Sequence, residues 1–505
     1  MRRLAGLALL SAVLAGALIA GAGPLGAEGP KEGRVYIALW FDTEDYILPQ
    51  SDDAAKRIAL FLTQQDIRAT FKVVGEKGRT LERRGRRDVI GALAHHEIGY
   101  HSNTHSQHPT VAEYESALDW ESGVEEFSRR ERPGYDDLRR IFGQAPTCYG
   151  QPGSSWAPQP YGALKNWGVK VYLDEAPHVG LEGKPFWYGG LLNIFNTKEG
   201  PQLRPRDDWS NLADSKAKFQ QFYTGMSSRP EGGIISLYFH PCELVHREFW
   251  DAVNFARGLN PPREDWKLPP MKTAEESDKA FQYFEGLVTY MKSFPHVEFV
   301  TASEALDLFR DAAQQRVFSM QELGDIAKQV DSEVTFEARE NYALSASEIF
   351  VLLNRFVTGV IRRKASEPIL LESTPYGPGS PAVELKAEIT VPWSQFSRTA
   401  LDVGGFLETR GQIPGQVWLG SAAVPPESYF VALARVTSTL LLKGEPPESV
   451  SVPPARLAAA QYVAQDASAL WEWPIFPPGF HSPHLMELAR LQAWTLKPAK
   501  MRRTQ

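Results

Sequence analysis

Between residues 35 and 310 the chain repeats one pattern: a short run of β-branched, aromatic and other apolar residues, then a longer amphipathic stretch. Strands are predicted at 35–41, 69–74, 98–102, 147–151, 169–173, 191–196, 234–239 and 297–301, and helices at 52–64, 111–130 and 278–294. Alternating strands and helices predict a parallel sheet with crossover helices. Seven or eight such units over about 280 residues favour a closed or nearly closed β/α barrel over a small doubly wound sheet.

The C-terminal part of the chain has fewer predicted strands and a higher proportion of prolines than the first part. At roughly 150 residues per domain, 505 residues allow two or three domains. Prolines gather after the barrel, so we predict a barrel domain over 34–315 and a smaller, mainly helical domain over 316–505. Within it, 347–355 resembles 427–435, which predicts a duplication with a period of about 80 residues. The alternative is two unrelated amphipathic helices.

Composition and the first residues indicate the compartment. Apolar residues make up 43% and charged residues 23%, as in water-soluble globular proteins, and the net charge of -7 argues against a nucleic-acid partner. Arg2 and Arg3 precede an uncharged run of small apolar residues, so we predict a signal peptide over 1–27. The protein is then exported to the periplasm, the cell wall or the medium. An uncleaved anchor is the alternative, although a run rich in Ala and Gly is a weak membrane span.

Ionisable residues follow several predicted strands. Asp42-Thr43-Glu44-Asp45 places three carboxylates in four residues, which is costly unless a cation or a proton separates them; a solvated acidic turn is the alternative. His101 and His105 have a spacing that lets two imidazoles bind one ion. His240 follows a wholly apolar strand and precedes a proline, which places it at a barrel mouth.

Further candidates lie in the loops after the fourth and fifth strands. They are the Pro-Gly turn at 149–156 and the acidic residue Asp174. Trp156, Trp167 and Trp187 are candidates for a wall on which a ligand stacks, with core packing as the alternative. Because the carboxyl ends of barrel strands share one face, the loop residues are expected near the carboxylates and histidines.

In this order the motifs resemble those of the polysaccharide deacetylases of the NodB homology family, carbohydrate esterase family 4. The resemblance covers about residues 34–310. Residues 41–45 are similar to the first motif in a D-x-E form, 101–105 match the HSxxH form of the second, and 237–240 are similar to the fifth. The resemblance implies a distorted (β/α)7-8 barrel of the NodB type. It also implies a hydrolase acting on carbon-nitrogen bonds other than peptide bonds, which removes N-acetyl groups from a polysaccharide.

Site roles follow from the resemblance, residue by residue. His101 and His105 would bind a divalent metal ion, most often zinc in this family. Glu44 would supply the carboxylate ligand, with Asp45 as the alternative. Asp42 would be the general base that accepts a proton from the attacking water.

The remaining roles are protonation of the leaving group and stabilisation of the oxyanion. His240 would be the general acid, and a backbone N–H near Gly153 would stabilise the oxyanion. Asp174 is similar in position to the acid that tunes the histidine. One departure stands out: the family usually carries an arginine that orients the base, and this chain has Gly150 there.

The expected partner is a cell-wall or surface polysaccharide, such as a peptidoglycan-like glycan. Two alternatives stay open: an amidohydrolase of a small cyclic or linear amide, as in the allantoinase-like branch, and a catalytically impaired glycan-binding protein. The C-terminal domain faintly resembles pseudomurein-binding repeats, which implies wall binding; a helical stability domain is the alternative. Cys148 and Cys242 either form a disulfide or remain free.

Overall fold

The computed structural model describes residues 33–195, 197–205, 208–363 and 368–502. The predicted signal peptide at 1–27 lies outside these ranges, as does position 196 of the sixth predicted strand. Within the described ranges, every helix is too short or too polar to span a bilayer.

All eight predicted strands are present, with ends within two residues of the prediction. A ninth strand, β6, forms a hairpin with β7 and was not expected. The strands are β1 (Val35–Thr43), β2 (Thr70–Val73), β3 (Glu97–Tyr100), β4 (Cys148–Tyr149), β5 (Val171–Asp174), β6 (Phe186–Tyr188), β7 (Leu191–Phe195), β8 (Gly233–Phe239) and β9 (Val297–Val300).

Helices occupy the connections between these strands. They are α1 (Gln50–Gln64), α2 (Gly75–Arg83), α3 (Arg87–Ala94), α4 (Val111–Glu115), α5 (Trp120–Phe142), α6 (Pro160–Asn166), α7 (Gly200–Leu203), α8 (Leu212–Ser227), α9 (Trp250–Phe255), α10 (Ala274–Lys292) and α11 (Ala302–Leu308). The three predicted helices correspond to α1, to α4 with α5, and to α10.

The strands form one curled, mostly parallel sheet in the order β6-β7-β5-β4-β3-β2-β1-β8, with β9 also paired to β1. This confirms the predicted α/β fold in its distorted form, because no ladder joins β7 to β8 among the described residues. A side chain bridges that gap. The Thr197 hydroxyl accepts a hydrogen bond from Ser236 N at 3.0 Å, and Gly200 lies so close to Ser236 O that a Cβ would overlap it.

Strand β1 is buried along its whole length, and its side chains alternate between two hydrophobic cores. Val35, Ile37, Leu39 and Phe41 pack with the surrounding helices, whereas Tyr36, Ala38 and Trp40 pack on the opposite, inner face. Since side chains alternate along a strand, Asp42 belongs to the inner face at the carboxyl end.

The region after residue 315 has its own core and a repeated order of elements. Each half contains a strand, a helix, a hairpin, a second helix and a closing strand, and the first and last strands of each half pair antiparallel. The first half has one additional strand before its hairpin, which pairs with a strand of the segment that follows the repeat. The second helices, α13 and α15, begin 80 residues apart, as a duplication would produce. The elements are β10 (Val317–Phe318), α12 (Met320–Ala327), β11 (Glu333–Val334), β12 (Glu337–Ala338), β13 (Ala343–Leu344), α13 (Ala346–Ile361), β14 (Ile369–Leu370), β15 (Ile389–Pro392), α14 (Trp393–Arg410), β16 (Val417–Leu419), β17 (Ala422–Val424), α15 (Pro426–Lys443) and β18 (Ser449–Val452).

After this repeat the chain returns to the barrel. It runs through β19 (Arg456–Leu457) and α16 (Pro483–Gln492) to β20 (Lys497–Pro498), which pairs antiparallel with β6 at the edge of the main sheet. Several apolar side chains of this segment, including Trp471, Phe476 and Met486, belong to the barrel core. The division at residue 315 stays a prediction, and the structure shows that the final segment packs with the first region.

One buried lysine ties β20 to the C-terminal region. Lys497 Nζ lies 2.7 and 2.8 Å from the two Glu348 carboxylate oxygens and 2.6 Å from Asp311 Oδ2. Lys497 is 1% exposed and Glu348 is fully buried, so these charges depend on one another for solvation.

Replacing Lys497 with Met is expected to lower the free energy of unfolding by about 3–5 kcal/mol, because two acids would remain buried without a cation. Urea unfolding monitored by tryptophan fluorescence measures this change. The matched control is Lys386→Met at an exposed position, with an expected change within about 0.5 kcal/mol. Equal effects of the two substitutions would contradict the assignment.

Candidate active site

Three side chains meet at the carboxyl end of the sheet as a candidate metal-binding cluster. Glu44 directly follows β1, and His101 and His105 follow β3. Glu44 Oε2 lies 3.0 Å from His105 Nε2 and 3.3 Å from His101 Nε2, and the three ligand atoms lie within 4.8 Å of one another. Ser102 and His105 have φ values of 64° and 56°. The two imidazoles therefore converge through a turn with left-handed residues, which non-glycine residues adopt only at a cost.

Hydrogen bonds to the far side of each ring fit the cluster to a metal ion. His101 Nδ1 lies 3.0 Å from Gly150 O, and because a carbonyl only accepts, the neutral ring keeps a lone pair on Nε2. His105 Nδ1 lies 2.6 Å from Ser106 Oγ, which donates to Asp251 Oδ2 at 3.2 Å. Such partners orient histidine ligands in metal sites, and two histidines with a carboxylate suit zinc.

The two adjacent acids, Glu44 and Asp45, have different surroundings. Trp250 Nε1 donates to Glu44 Oε1 at 2.9 Å, which leaves Oε2 facing the histidines. Asp45 turns away: one oxygen accepts from Leu48 N at 3.1 Å and the other bonds the Ser51 hydroxyl at the start of α1. Asp45, the alternative ligand, does not join the cluster because both of its oxygens hold this loop.

Asp42 lies beside a buried cation. Lys72 Nζ, on the inner face of β2, lies 3.0 Å from Asp42 Oδ1 and 2.7 Å from Asp174 Oδ2. Burial favours a raised pKa for Asp42, but His101, Lys72 and His240 outweigh it, so the pKa lies below its ordinary value. Asp42 is therefore ionised, as a proton acceptor must be.

Gly150, where the family resemblance predicts an arginine, packs against the same lysine. A Cβ on Gly150 would overlap Lys72 Nζ and Asp174 Oδ2, so a side chain at residue 150 and this ion pair exclude each other. Asp174 binds the Lys72 ammonium group, and burial raises the pKa of the Asp174 carboxyl to about 7. Sequence reasoning missed Lys72; the available signal was one charged residue in the otherwise uncharged strand β2.

His240 lies on the other side of the carboxylates. Its Nε2 is 3.7 Å from Asp42 Oδ2 and 3.8 Å from Glu44 Oε2. Its Nδ1 bonds Glu243, which also pairs with Arg204. Burial favours a lower pKa for His240, but Glu243 and Glu44 outweigh it and raise the pKa to about 9. The acid that tunes His240 is thus Glu243, three residues further on, and Asp174 bonds Lys72 instead.

Gly153 and Trp156 occupy different surroundings. Gly153 has a φ of 49° in the turn after β4, and the Trp473 indole lies against its Cα, where a Cβ would overlap the ring. Trp156 is fully buried and stacks on His178 at 5.0 Å. A sugar cannot reach this ring, so the core alternative applies to Trp156.

The two remaining tryptophans and the two cysteines lie inside the protein or against its cores. Trp167 and Trp187 are partly buried and pack against the hydrophobic cores. Cys148 and Cys242 are both buried and free, so the disulfide alternative is wrong. Burial raises the pKa of both thiols, which makes neither one a nucleophile.

No protein-family model and no curated protein matches this chain. The predicted resemblance of the C-terminal region to pseudomurein-binding repeats is therefore unsupported.

Solved structures give distant likenesses. One from Mycobacterium smegmatis, assigned as a polysaccharide deacetylase, is 14% identical, matches 55% of this chain and 91% of its own, and has a TM-score of 0.36. The Puue allantoinase is 12% identical over 56% and 92%, with a TM-score of 0.35. A carbohydrate esterase family 4 pseudoenzyme from Bacillus anthracis is 12% identical over 55% and 67%, with a TM-score of 0.28. Likenesses this weak establish neither a family nor an activity.

Metal binding tests the cluster directly. His105→Ala is expected to weaken zinc binding beyond the roughly 10–100-fold that loss of a supporting hydrogen bond costs, because a ligand is removed. Trp250→Phe should fall within that range, since it removes only the hydrogen bond to Glu44. Isothermal titration of the metal-free protein with zinc measures both.

The matched control is Asp45→Asn, which changes the adjacent acid without touching the cluster. It is expected to keep wild-type zinc affinity. Loss of zinc binding in Asp45→Asn, with His105→Ala unaffected, would show that the ion binds elsewhere.

Proposed function

We propose that this chain is an exported, metal-dependent deacetylase that hydrolyses N-acetyl groups of a cell-wall or surface polysaccharide. The observation that carries the proposal is the convergence of the Glu44–His101–His105 cluster with a second carboxylate and a third imidazole. Asp42 and His240 lie within 3.7 Å of each other beside that cluster. Export is supported by the predicted signal peptide alone.

The cluster fits a divalent ion, and its donor types favour zinc. When bound, such an ion supplies Lewis-acid chemistry, polarising a carbonyl and lowering the pKa of water to about 7. Its ligands would be Glu44, His101 and His105.

The protein's own groups handle the protons. Asp42, kept ionised beside Lys72, accepts a proton from the attacking water, whose oxygen forms the new bond to the acyl carbon. His240, kept protonated by Glu243, donates a proton to the amine as the carbon–nitrogen bond breaks. The products are acetic acid, which loses its proton to solvent, and a free amino sugar. Asp42 releases the proton that it accepted and His240 takes one up, through solvent, so that both groups return to their starting states and atoms and charges balance.

A cavity beside His240 supports a glycan as the substrate. Its volume is about 670 Å³, and Phe249 and Tyr238 line it with ring centroids 4.9 and 5.5 Å from the His240 ring. Trp209 adds a third half-buried aromatic ring. Aromatic surfaces with a few placed polar groups are typical of small-molecule sites of this size.

Several charged side chains around the cavity have partners within the protein. Arg204 pairs with Glu243, and Arg247 pairs with Glu276 at 2.8 Å. Lys272 Nζ is bonded to the carbonyl of Glu243 at 2.7 Å. A neutral sugar therefore suits this cavity better than a strongly anionic ligand.

The first test is acetate release from N-acetylglucosamine polymers by the zinc-loaded protein before and after chelation. Asp42→Asn is expected to lower kcat by about 10²–10⁴-fold while zinc binding persists, because only the proton acceptor is lost. Zinc binding without acetate release would favour the small-amide hydrolase. A chain that binds glycans but no metal would favour the glycan-binding protein.

Lys72→Met tests the positioning role of the buried lysine. It is expected to lower kcat by about 10–100-fold, the range for groups that support an active residue, with unchanged zinc stoichiometry. Lys386→Met is the matched control, with wild-type kcat expected. Wild-type kcat in a folded Lys72→Met protein would show that Asp42 needs no cation.

A further inference from the structure

The C-terminal segment reaches the candidate active site through residues 472–476. Its backbone is fixed to the loop after α9, because Arg257 N donates to Pro474 O at 2.8 Å and Gly258 N donates to Ile475 O at 2.9 Å. Ile475 is fully buried among the aromatic residues next to the site. The segment is therefore held in place by both its backbone and its side chains.

Trp473, in the middle of this segment, touches two parts of the site. Its ring meets the His105 ring edge-on, with centroids 5.5 Å apart at 85°, and it lies against Gly153. Phe476 supports it from behind, with ring centroids 5.6 Å apart. The half-buried indole thus fills the space between a candidate metal ligand and the turn predicted to hold the oxyanion.

We propose that Trp473 limits the length of the acyl group that the site accepts, admitting acetyl and excluding butyryl. The inference rests on the proposed function. A carbonyl reacting beside Glu44, His101 and His105, with its oxygen towards Gly153, must present its alkyl substituent to whatever fills the space between them. That group is the rigid indole, and a packed interior tolerates few added methylenes.

The same geometry gives the C-terminal part of the chain a second role. A side chain from beyond the repeated region forms one wall of a site whose other residues come from the barrel loops. Acyl selectivity then depends on how this segment docks, and the segment acts as part of the enzyme's active site.

The test uses the zinc-loaded full chain and glucosamine oligomers carrying acetyl, propionyl or butyryl groups. In Trp473→Ala the butyryl-to-acetyl ratio of kcat/KM is expected to rise at least about tenfold, the effect of one or more methylenes in an apolar pocket. Trp473→Phe, which keeps an aromatic ring against Phe476, should give a smaller rise.

Trp418→Ala is the matched control, since Trp418 is 59% exposed in β16 of the repeated region. Its ratio should equal that of the wild type. A uniform loss or gain for all acyl lengths in Trp473→Ala would overturn the proposal, because it would show a structural or blocking role. Melting temperatures of the variants identify any loss of folding, in which case Trp473→Phe decides.

Carboxylate binding separates this inference from the proposed function. Calorimetry on the zinc-loaded protein, without turnover, should show tighter binding of acetate than of butyrate, and Trp473→Ala should remove the preference. Absence of acetate release from glycans by the wild type overturns the proposed function alone. Absence of carboxylate binding, equal binding by the wild type, or an unchanged preference in Trp473→Ala overturns the role of Trp473.

Discussion

The arrangement of the candidate site depends on one buried ammonium group. Lys72 is fully buried between Asp42 and Asp174, inside a sheet where an isolated charge would be prohibitively expensive. Its two acids compensate that cost, and in return it fixes where Asp42 lies and keeps it ionised. Gly150 is the condition for this arrangement, since any side chain there would displace the lysine. A glycine at position 150 and the buried lysine therefore depend on each other.

Local pattern was enough to predict eight strands of the main sheet and the functional residues that follow them. A strand that alternates faces brings Asp42 to the inner side, and the spacing of His101 and His105 placed both imidazoles near it. The strand β1 ends before Glu44 and Asp45, so alternation no longer decides between them. The three-dimensional contacts distinguish the two acids. Trp250 orients Glu44 towards the histidines, whereas the oxygens of Asp45 accept hydrogen bonds from the loop before α1 and from the start of that helix.

Partners from distant parts of the chain could not be predicted in this way. Glu243 lies only three residues after His240, but nothing in the sequence favours it over Asp174 as the acid that pairs with this histidine. Trp473 lies more than 350 residues beyond His105, and its contact depends on how two regions dock. The return of β20 to the main sheet has no local signature either, because a two-residue strand carries too little pattern to recognise.

The pairing of β20 with β6 also has a consequence for the way the chain folds. Lys497 pairs with Trp187, so the chain must close a loop of 310 residues before β20 covers the edge of the main sheet. Contacts of such sequence separation form slowly, since the entropy of closing the loop is lost before the pairing is gained. Until then β6 presents an open edge to any neighbouring strand. We therefore expect the C-terminal return to form late in folding and, once formed, to protect the edge of β6 from pairing with other chains.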